Sequence, residues 1–232
     1  MKTAISFILL FLMPFSASAN GCRLALVFAL DVSSSISSEE YALQRNGLAS
    51  ALLHPDVSAA LLGDGRGSVA LAAYEWSGRY QSEVRLNWIE IRDQSDILKA
   101  ASELARATRS QEKYPTAIGY ALGFGAGMLA RAPDCRQRKI DVSGDGSNNE
   151  GFKPALAFSS FPFGGVTVNG LAIESSEAEI ADYYRRNVAY GPGAFVISAR
   201  DYKDFKRAMT LKLLRELGDM MVSQADTTPK HR

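Results

Sequence analysis

The stretch that most constrains the fold is an unbroken apolar run near the start of the chain, Leu24–Leu30. A strand that is apolar at every position needs cover on both faces, as the central strands of parallel sheets have. The run ends at Asp31, and Ser37–Glu40 soon after it is typical of a helix start. A carboxylate therefore lies between a buried strand and a helix, at the edge where open α/β sheets bind ligands.

The rest of the chain alternates between strand-like and helix-like segments. We predict further strands at 68–76, 80–88, 139–144, 165–173 and 194–197. We predict helices at 38–53, 94–108, 117–130, 154–158, 177–186 and 202–221. The short turn Ser77-Gly78 makes the second and third strands a hairpin, so the third strand is expected to be antiparallel. The alternation predicts an α/β fold with a doubly wound, mostly parallel six-stranded sheet and helices on both faces.

The first residues have the features of a secretory signal peptide. Lys2 gives a positive start, Ala4–Met13 is apolar but too short to span a membrane, and Ala17–Ala19 is typical of a cleavage site. We expect a signal peptide at 1–19, one domain at 20–223 and a disordered polar tail at 224–232. The mature protein is then periplasmic or secreted, without a transmembrane segment. Cys22 leaves a lipoprotein open as an alternative, although the residues before it match a lipobox poorly.

The charges of the chain are balanced, with 26 Lys and Arg against 25 Asp and Glu. Neither sign forms a long run, which argues against nucleic acid or an anionic membrane as the main partner. The sequence also lacks a Gly-x-Ser-x-Gly motif, and its only histidines are His54 and His231. In a phosphatase of the haloacid-dehalogenase type, Asp31 would be the nucleophile and a second acid would follow two residues later, but that position is Ser33. These features argue against an enzyme, and a phosphatase-like metal-dependent hydrolase is the alternative that stays open.

Three short motifs place oxygen ligands at the predicted carboxyl edge of the sheet. Asp31–Ser35 follows the first strand, Thr116 precedes a helix, and Asp145-Gly146 follows the fourth strand. In the strand order 3-2-1-4-5-6 the first and fourth strands flank the topological switch point, so that Asp31 and Asp145 would face each other. Carboxylate and hydroxyl oxygens suit a hard divalent ion such as Mg²⁺, Mn²⁺ or Ca²⁺. Asp141 competes with Asp145, but it lies about 13 Å further back along the same strand.

These motifs, in this order, resemble the metal-ion-dependent adhesion site (MIDAS) of von Willebrand factor A (VWA) domains. The order of elements agrees from about 23 to about 222, and Tyr74–Gly78, Ser143–Asn149 and Gly193–Val196 resemble a VWA-like family of uncharacterised secreted bacterial proteins. The resemblance implies a divalent cation, first Mg²⁺ with Mn²⁺ or Ca²⁺ as alternatives, that binds an exposed Asp or Glu of a partner protein. The metal ligands that it implies are Asp31, Ser33, Ser35, Thr116 and Asp145. Gly144 departs from the family, which usually has a small hydroxyl residue before the last aspartate.

Each motif also has a purely structural interpretation. Asp31-Val32-Ser33 is a possible helix N-cap, Thr116 is another, and Asp145-Gly146 is a possible ordinary turn. A VWA scaffold that does not depend on metal and binds by shape alone is a further alternative.

Three further sets of residues each have a functional and a structural interpretation. Asn148 and Asn149 either support the ion through water or shape their loop. Glu75 and Trp76 end the second strand at the same edge and are candidates for the partner surface, although Trp76 fits the core better. For Phe158, Phe161 and Phe163, packing in the core is favoured over an exposed apolar patch.

The two cysteines are placed to form a disulfide bond. Cys22 lies nine residues before Asp31, and Cys135 lies ten before Asp145. If those aspartates end neighbouring parallel strands, both cysteines lie near the opposite end of the sheet. Neighbouring strands are about 4.8 Å apart, close to the roughly 5.5 Å between Cα atoms that a disulfide prefers. The oxidising environment outside the cytoplasm favours this bond in an exported protein. Two free thiols or intermolecular bonds are the alternative.

Overall fold

The computed structural model describes residues 21–175 and 179–225. Six strands form one sheet: β1 (Cys22–Asp31), β2 (Val69–Trp76), β3 (Ser82–Ile91), β4 (Cys135–Gly144), β5 (Val166–Ile173) and β6 (Val196–Ala199). The α-helices within these ranges are α1 (Ser38–Leu52), α2 (Pro55–Leu62), α3 (Gln94–Arg106), α4 (Ile118–Leu129), α5 (Pro154–Ser160), α6 (Ile180–Asn187) and α7 (Phe205–Ala225). Short 3₁₀ turns lie at Gly63–Gly65 and Tyr202–Asp204.

The strand order is β3-β2-β1-β4-β5-β6, which confirms the predicted topology. β3 is antiparallel to β2, and the other pairs are parallel. All ten residues of the central strand β1 are buried. The order reverses between β1 and β4, so the carboxyl ends of these two strands form the switch point at which doubly wound sheets bind ligands.

Two apolar cores, one on each face of the sheet, explain the unbroken apolar run in β1. Leu24, Leu26 and Phe28 pack into the core that α1, α2, α3 and α7 complete. Ala25 and Val27 face the other side, where α4, α5 and α6 complete the second core. Because successive side chains of a strand point to opposite faces, a strand covered on both sides is apolar throughout.

Three differences from the predicted elements concern a missed helix, an earlier strand start and a divided closing helix. Helix α2 was not predicted, although Pro55 in its first turn and the left-handed Gly63 after its end, at φ 41°, are typical helix boundaries. Strand β4 begins at Cys135, four residues before the predicted start at Lys139, because its first part pairs with β1 at the level of the disulfide. The closing helix is divided into a 3₁₀ turn from Tyr202 and the α-helix α7.

The predicted disulfide between Cys22 and Cys135 is present. The two residues are register partners at the amino ends of β1 and β4, and their Cα atoms lie 4.5 Å apart. They are separated by 113 residues in the sequence. In the chain-entropy model a loop of about this length contributes at most about 4.7 kcal/mol to stability.

The predicted signal peptide at 1–19 and residues 226–232 of the predicted tail lie outside the described residues. The first two residues of that tail, 224 and 225, belong to α7. Within the described ranges, no helix is both long and apolar enough to cross a membrane.

Candidate metal site at the carboxyl edge of the sheet

The loop after β1 is folded around the carboxylate of Asp31. Asp31 Oδ1 accepts a hydrogen bond of 2.7 Å from the backbone N–H of Ser33. The hydroxyl oxygens of Ser33 and Ser35 lie 3.3 Å apart, so both are on the same side of the loop. Asp31 and Ser33 are buried, whereas Ser35 is exposed. The site therefore opens to the surface beside Ser35.

Asp145, which follows β4, contacts the loop that follows β1 on the other side of the switch point. The Ser35 hydroxyl donates a hydrogen bond of 2.9 Å to Asp145 Oδ1. Asp145 directly follows β4 and is fully buried, as Asp31 is. The structure thus brings the two aspartates to the same edge of the sheet, as predicted from the strand order.

Thr116 reaches the same place from the loop before α4. Its hydroxyl oxygen lies 3.5 Å from the position that a Cβ atom at Gly146 would occupy. The Asn149 side-chain oxygen accepts a 2.8 Å hydrogen bond from the Thr116 N–H, and the N–H of Asn149 donates to the Thr116 carbonyl at 3.0 Å. All five predicted ligands therefore lie in three adjoining loops at one edge of the sheet.

The helix-capping interpretation of these residues does not agree with the structure. The N-cap of α1 is Ser37, which forms a reciprocal capping box with Glu40. Helix α4 begins after Ala117 without a side-chain cap. Asp31, Ser33 and Thr116 are therefore available for another role.

The electrostatics of Asp31 fit a cation at this position. Burial, and then repulsion from the Asp145 carboxylate, raise the pKa of the Asp31 carboxyl from 3.8 to about 7. Among the described residues, its Oδ2 atom has no hydrogen-bond partner. A buried carboxylate oxygen without a partner is costly, and a bound cation would remove that cost.

The donor set differs in kind from a cluster of acidic, histidine and cysteine ligands. No group of three or more His, Cys, Asp or Glu side chains able to hold a metal ion occurs in the part of the chain that the structure describes. The five residues here combine two carboxylates with three neutral hydroxyls. Such oxygen donors are the ligands that hard divalent ions prefer.

Neighbouring loops hold the backbone of the Asp31–Ser35 loop in place. The Arg109 guanidinium donates to the carbonyls of Val32 and Ser33, at 3.2 and 3.0 Å. The Ser34 N–H donates to the Tyr114 carbonyl at 2.9 Å, which joins the loop to the segment before α4. These contacts fix the hydroxyl-bearing loop relative to Thr116.

Glu75 does not line a partner surface, which corrects the sequence-based interpretation. Its side chain is buried and accepts hydrogen bonds of 2.7 Å from the Tyr41 hydroxyl and from the Ser110 N–H. It also forms an ion pair of 3.0 Å with Arg85. Glu75 therefore ties α1, β3 and the segment beside Arg109 together, because a buried carboxylate must be paired. The adjoining Trp76 is fully buried, as favoured.

The two asparagines after Asp145 have internal partners. The Asn148 side-chain oxygen accepts from the Gly119 N–H at 3.1 Å, and that of Asn149 accepts from Thr116. Both amide oxygens therefore shape the loops around the site.

Asp141 lies in a separate ion-pair network under the sheet. Lys212 Nζ of α7 is 2.8 Å from Asp141 Oδ2 and 2.9 Å from Glu216 Oε1, and the side chains of these residues are fully buried. This agrees with the preference for Asp145 over Asp141 at the edge.

The three phenylalanines near α5 divide between core and surface. Phe163 is buried, and Phe158 is half-buried and stacks on Tyr190 with ring centroids 4.2 Å apart. Phe161 is 38% exposed, so core packing holds for two of the three.

Solved structures with the same fold are VWA-type proteins and their relatives. Proximal thread matrix protein 1 from the mussel byssus, in a structure "with zinc occupied MIDAS motif", is 17% identical with a TM-score of 0.63, over 86% of this chain and 48% of that one. A von Willebrand factor type A structure from Catenulispora acidiphila is 15% identical with a TM-score of 0.61, over 85% of this chain and 43% of that one. An aerotolerance-related membrane protein from Bacteroides fragilis is 18% identical with a TM-score of 0.53, over 83% and 99%.

At these identities the similarity shows a VWA-like fold. The chain spans about half or less of the mussel and Catenulispora chains. Comparison with curated proteins gave no significant match. A family model described as "Protein of unknown function (DUF1194)" matches residues 21–221. The chain therefore belongs to the DUF1194 family and has a VWA-like fold.

Proposed function

We propose that this protein is an exported VWA-type binding module that holds a divalent cation and uses it to bind an acidic side chain of a partner protein. The observation that carries the proposal is the meeting of three loops around a fully buried carboxylate, Asp31, whose Oδ2 has no hydrogen-bond partner among the described residues. The residues that would hold the ion are Asp31, Ser33, Ser35, Thr116 and Asp145.

The distribution of charge in the site favours an acidic ligand. A bound divalent cation would supply a positive centre able to coordinate a carboxylate. Three of the five protein donors are neutral hydroxyls, so the protein neutralises less of the ion's positive charge than a site made only of carboxylates would. Ser35 is the exposed member, so a partner carboxylate would approach from its side.

Mg²⁺ is the ion that we expect first, with Mn²⁺ and Ca²⁺ as alternatives. An oxygen-only donor set suits these ions better than Zn²⁺, which prefers nitrogen and sulfur ligands. Zinc still belongs in any titration, because the mussel protein is described with zinc in its MIDAS motif.

We infer binding and not catalysis from the residue that follows Asp31 by two positions. A phosphatase of the haloacid-dehalogenase type would need an acid there, and the chain has Ser33, whose hydroxyl lies against that of Ser35. The export that we propose is supported by the signal-like sequence at 1–19 and by the disulfide, which is typical of oxidising compartments.

Three serines in one loop offer a matched test of the metal site. Ser33→Ala and Ser35→Ala each remove a predicted ligand. Ser34→Ala changes an exposed neighbour whose backbone N–H donates to the Tyr114 carbonyl, a hydrogen bond that the substitution leaves in place. We expect Mg²⁺ to raise the melting temperature of the wild-type protein and of Ser34→Ala, and to have a smaller effect on the other two variants. A response that is the same in all four proteins would refute the ligand set.

The partner is tested by capture from an envelope extract with Mg²⁺ or with EDTA. We expect capture with Mg²⁺, release by EDTA, and loss of binding when the partner's acidic side chain is replaced. Equal capture in EDTA would favour the metal-independent scaffold. Metal-dependent turnover of a phosphate ester would favour the hydrolase.

A further inference from the structure

The backbone just before Asp145 has no side chain, and other groups occupy the space that one would take. A Cβ atom at Gly144 would lie 2.6 Å from the Tyr184 hydroxyl oxygen and 2.7 Å from Asp31 Oδ2. Side-chain carbons do not approach other atoms so closely. A phenol hydroxyl and a carboxylate oxygen therefore border one small volume above Gly144, inside the proposed metal site.

A second glycine lets the Tyr184 ring reach this volume from α6. Tyr184 is fully buried, and a Cβ atom at Gly170 of β5 would lie 2.8 Å from its Cδ1 atom. Gly170 pairs with Val142 and Gly144 pairs with Ala172, so the two glycines are diagonal neighbours on the same face of adjacent strands. Together they leave a path for one aromatic ring across the sheet to the site.

We propose that Tyr184 is a positioning residue of the metal site: its hydroxyl and Asp31 Oδ2 border the same volume above Gly144, and in the ion-bound protein this hydroxyl would donate to Oδ2 and orient the carboxylate toward the ion. The inference rests on the metal-binding function proposed above. Asp31 Oδ1 already accepts from the Ser33 N–H, so a second donor at Oδ2 would fix the carboxylate at both oxygens. A neutral phenol does this without adding charge to a site that already has two aspartates.

The first test is Tyr184→Phe in the mature full-length protein, with Mg²⁺ affinity measured by calorimetric titration. Groups that orient metal ligands typically change metal affinity about 10- to 100-fold, and we expect Mg²⁺ binding to weaken by about ten-fold or more. The matched control is Tyr74→Phe, since Tyr74 is equally buried but donates to the Ala121 carbonyl at 2.6 Å. The control should melt at a lower temperature and bind Mg²⁺ with unchanged affinity.

A second variant acts on Tyr184 without altering its chemistry. Gly170→Ala places a methyl group against the ring, away from every proposed ligand. It should weaken Mg²⁺ binding in the wild-type background and have little further effect when combined with Tyr184→Phe. Mg²⁺ should also change the near-ultraviolet tyrosine spectrum of the wild type and of Tyr74→Phe more than that of Tyr184→Phe.

The outcomes separate this inference from the proposed function. If the wild type binds Mg²⁺ and the folded Tyr184→Phe protein binds it equally well, Tyr184 does not position Asp31, and the proposed function stands. If the wild type binds no divalent ion, both proposals fall. If Tyr184→Phe does not fold, the Mg²⁺ affinity of Gly170→Ala is the deciding measurement. An affinity equal to that of the wild type overturns the inference.

Discussion

Asp31 should destabilise the metal-free protein at neutral pH, and Asp31→Asn should relieve this. The pKa of the carboxyl is raised from 3.8 to about 7, so the folded state holds the proton more tightly than the unfolded chain does. The stability that this proton provides is fully present below pH 3.8 and is lost as the pH rises to about 7. Each pH unit in this window costs about 1.4 kcal/mol, which amounts to about 4 kcal/mol over the window.

The assay is urea unfolding in EDTA, at several values between about pH 4 and about pH 8. Asparagine has the same shape as aspartate and does not titrate, so the difference in unfolding free energy between the variant and the wild type isolates the carboxyl. We expect that difference to move in favour of Asp31→Asn by about 4 kcal/mol as the pH rises. Asp134→Asn, at an exposed position before β4, controls for the general loss of a negative charge.

Bound Mg²⁺ should offset the loss of stability that the ionised Asp31 carboxylate causes at neutral pH. The ion competes with the proton on Asp31, so its affinity should fall as the pH drops below about 7. Wild-type protein should gain stability from saturating Mg²⁺ at about pH 8, by about 2.7 kcal/mol at a hundred-fold excess over Kd, and Asp31→Asn should gain little. A difference between the two proteins that does not change with pH would refute the assignment of a buried, destabilising carboxylate.

Two further predictions concern stability away from the proposed ligands. Lys212→Met removes the buried cation between Asp141 and Glu216 and should cost about 3–5 kcal/mol in urea unfolding, because Asp141 loses its ion-pair partner and Glu216 keeps only Lys139, at 3.7 Å. An effect below about 1 kcal/mol would contradict the buried network. Non-reducing mass spectrometry should show the Cys22–Cys135 bond, and reduction should lower the unfolding free energy by up to about 4.7 kcal/mol; two alkylatable thiols in the exported protein would contradict it.

The fold was predictable because its main signals are local. The apolar run of β1, the hairpin turn at Ser77-Gly78 and the alternation of segments predict a mostly parallel sheet with β3 antiparallel, and the order 3-2-1-4-5-6 is a common one for such doubly wound sheets. The five proposed ligands come from the resemblance to the MIDAS motif, whose residues lie in short stretches of sequence at the ends of strands and before a helix. Helix α2 was missed because it is only eight residues long and follows α1 after two residues.

The supporting groups of the site could not be predicted, because they depend on contacts between distant parts of the chain. Glu75 was a candidate for the partner surface, but it is buried and bound by Arg85 and Tyr41. Gly144 was noted as a departure from the family pattern, and its reason is visible only where Tyr184 enters from α6. The glycine itself was the available signal, since a missing side chain often marks the close approach of another group.

The disulfide also has a mechanical consequence for the proposed metal site. The same two strands, β1 and β4, are joined covalently at their amino ends and carry Asp31 and Asp145 at their carboxyl ends. Under a pulling force applied at the proposed site, the two strands would share the load from the first residue of the sheet. Sliding of β1 past β4 is blocked at one end, so the spacing of the two aspartates would persist under forces that shear an unlinked pair.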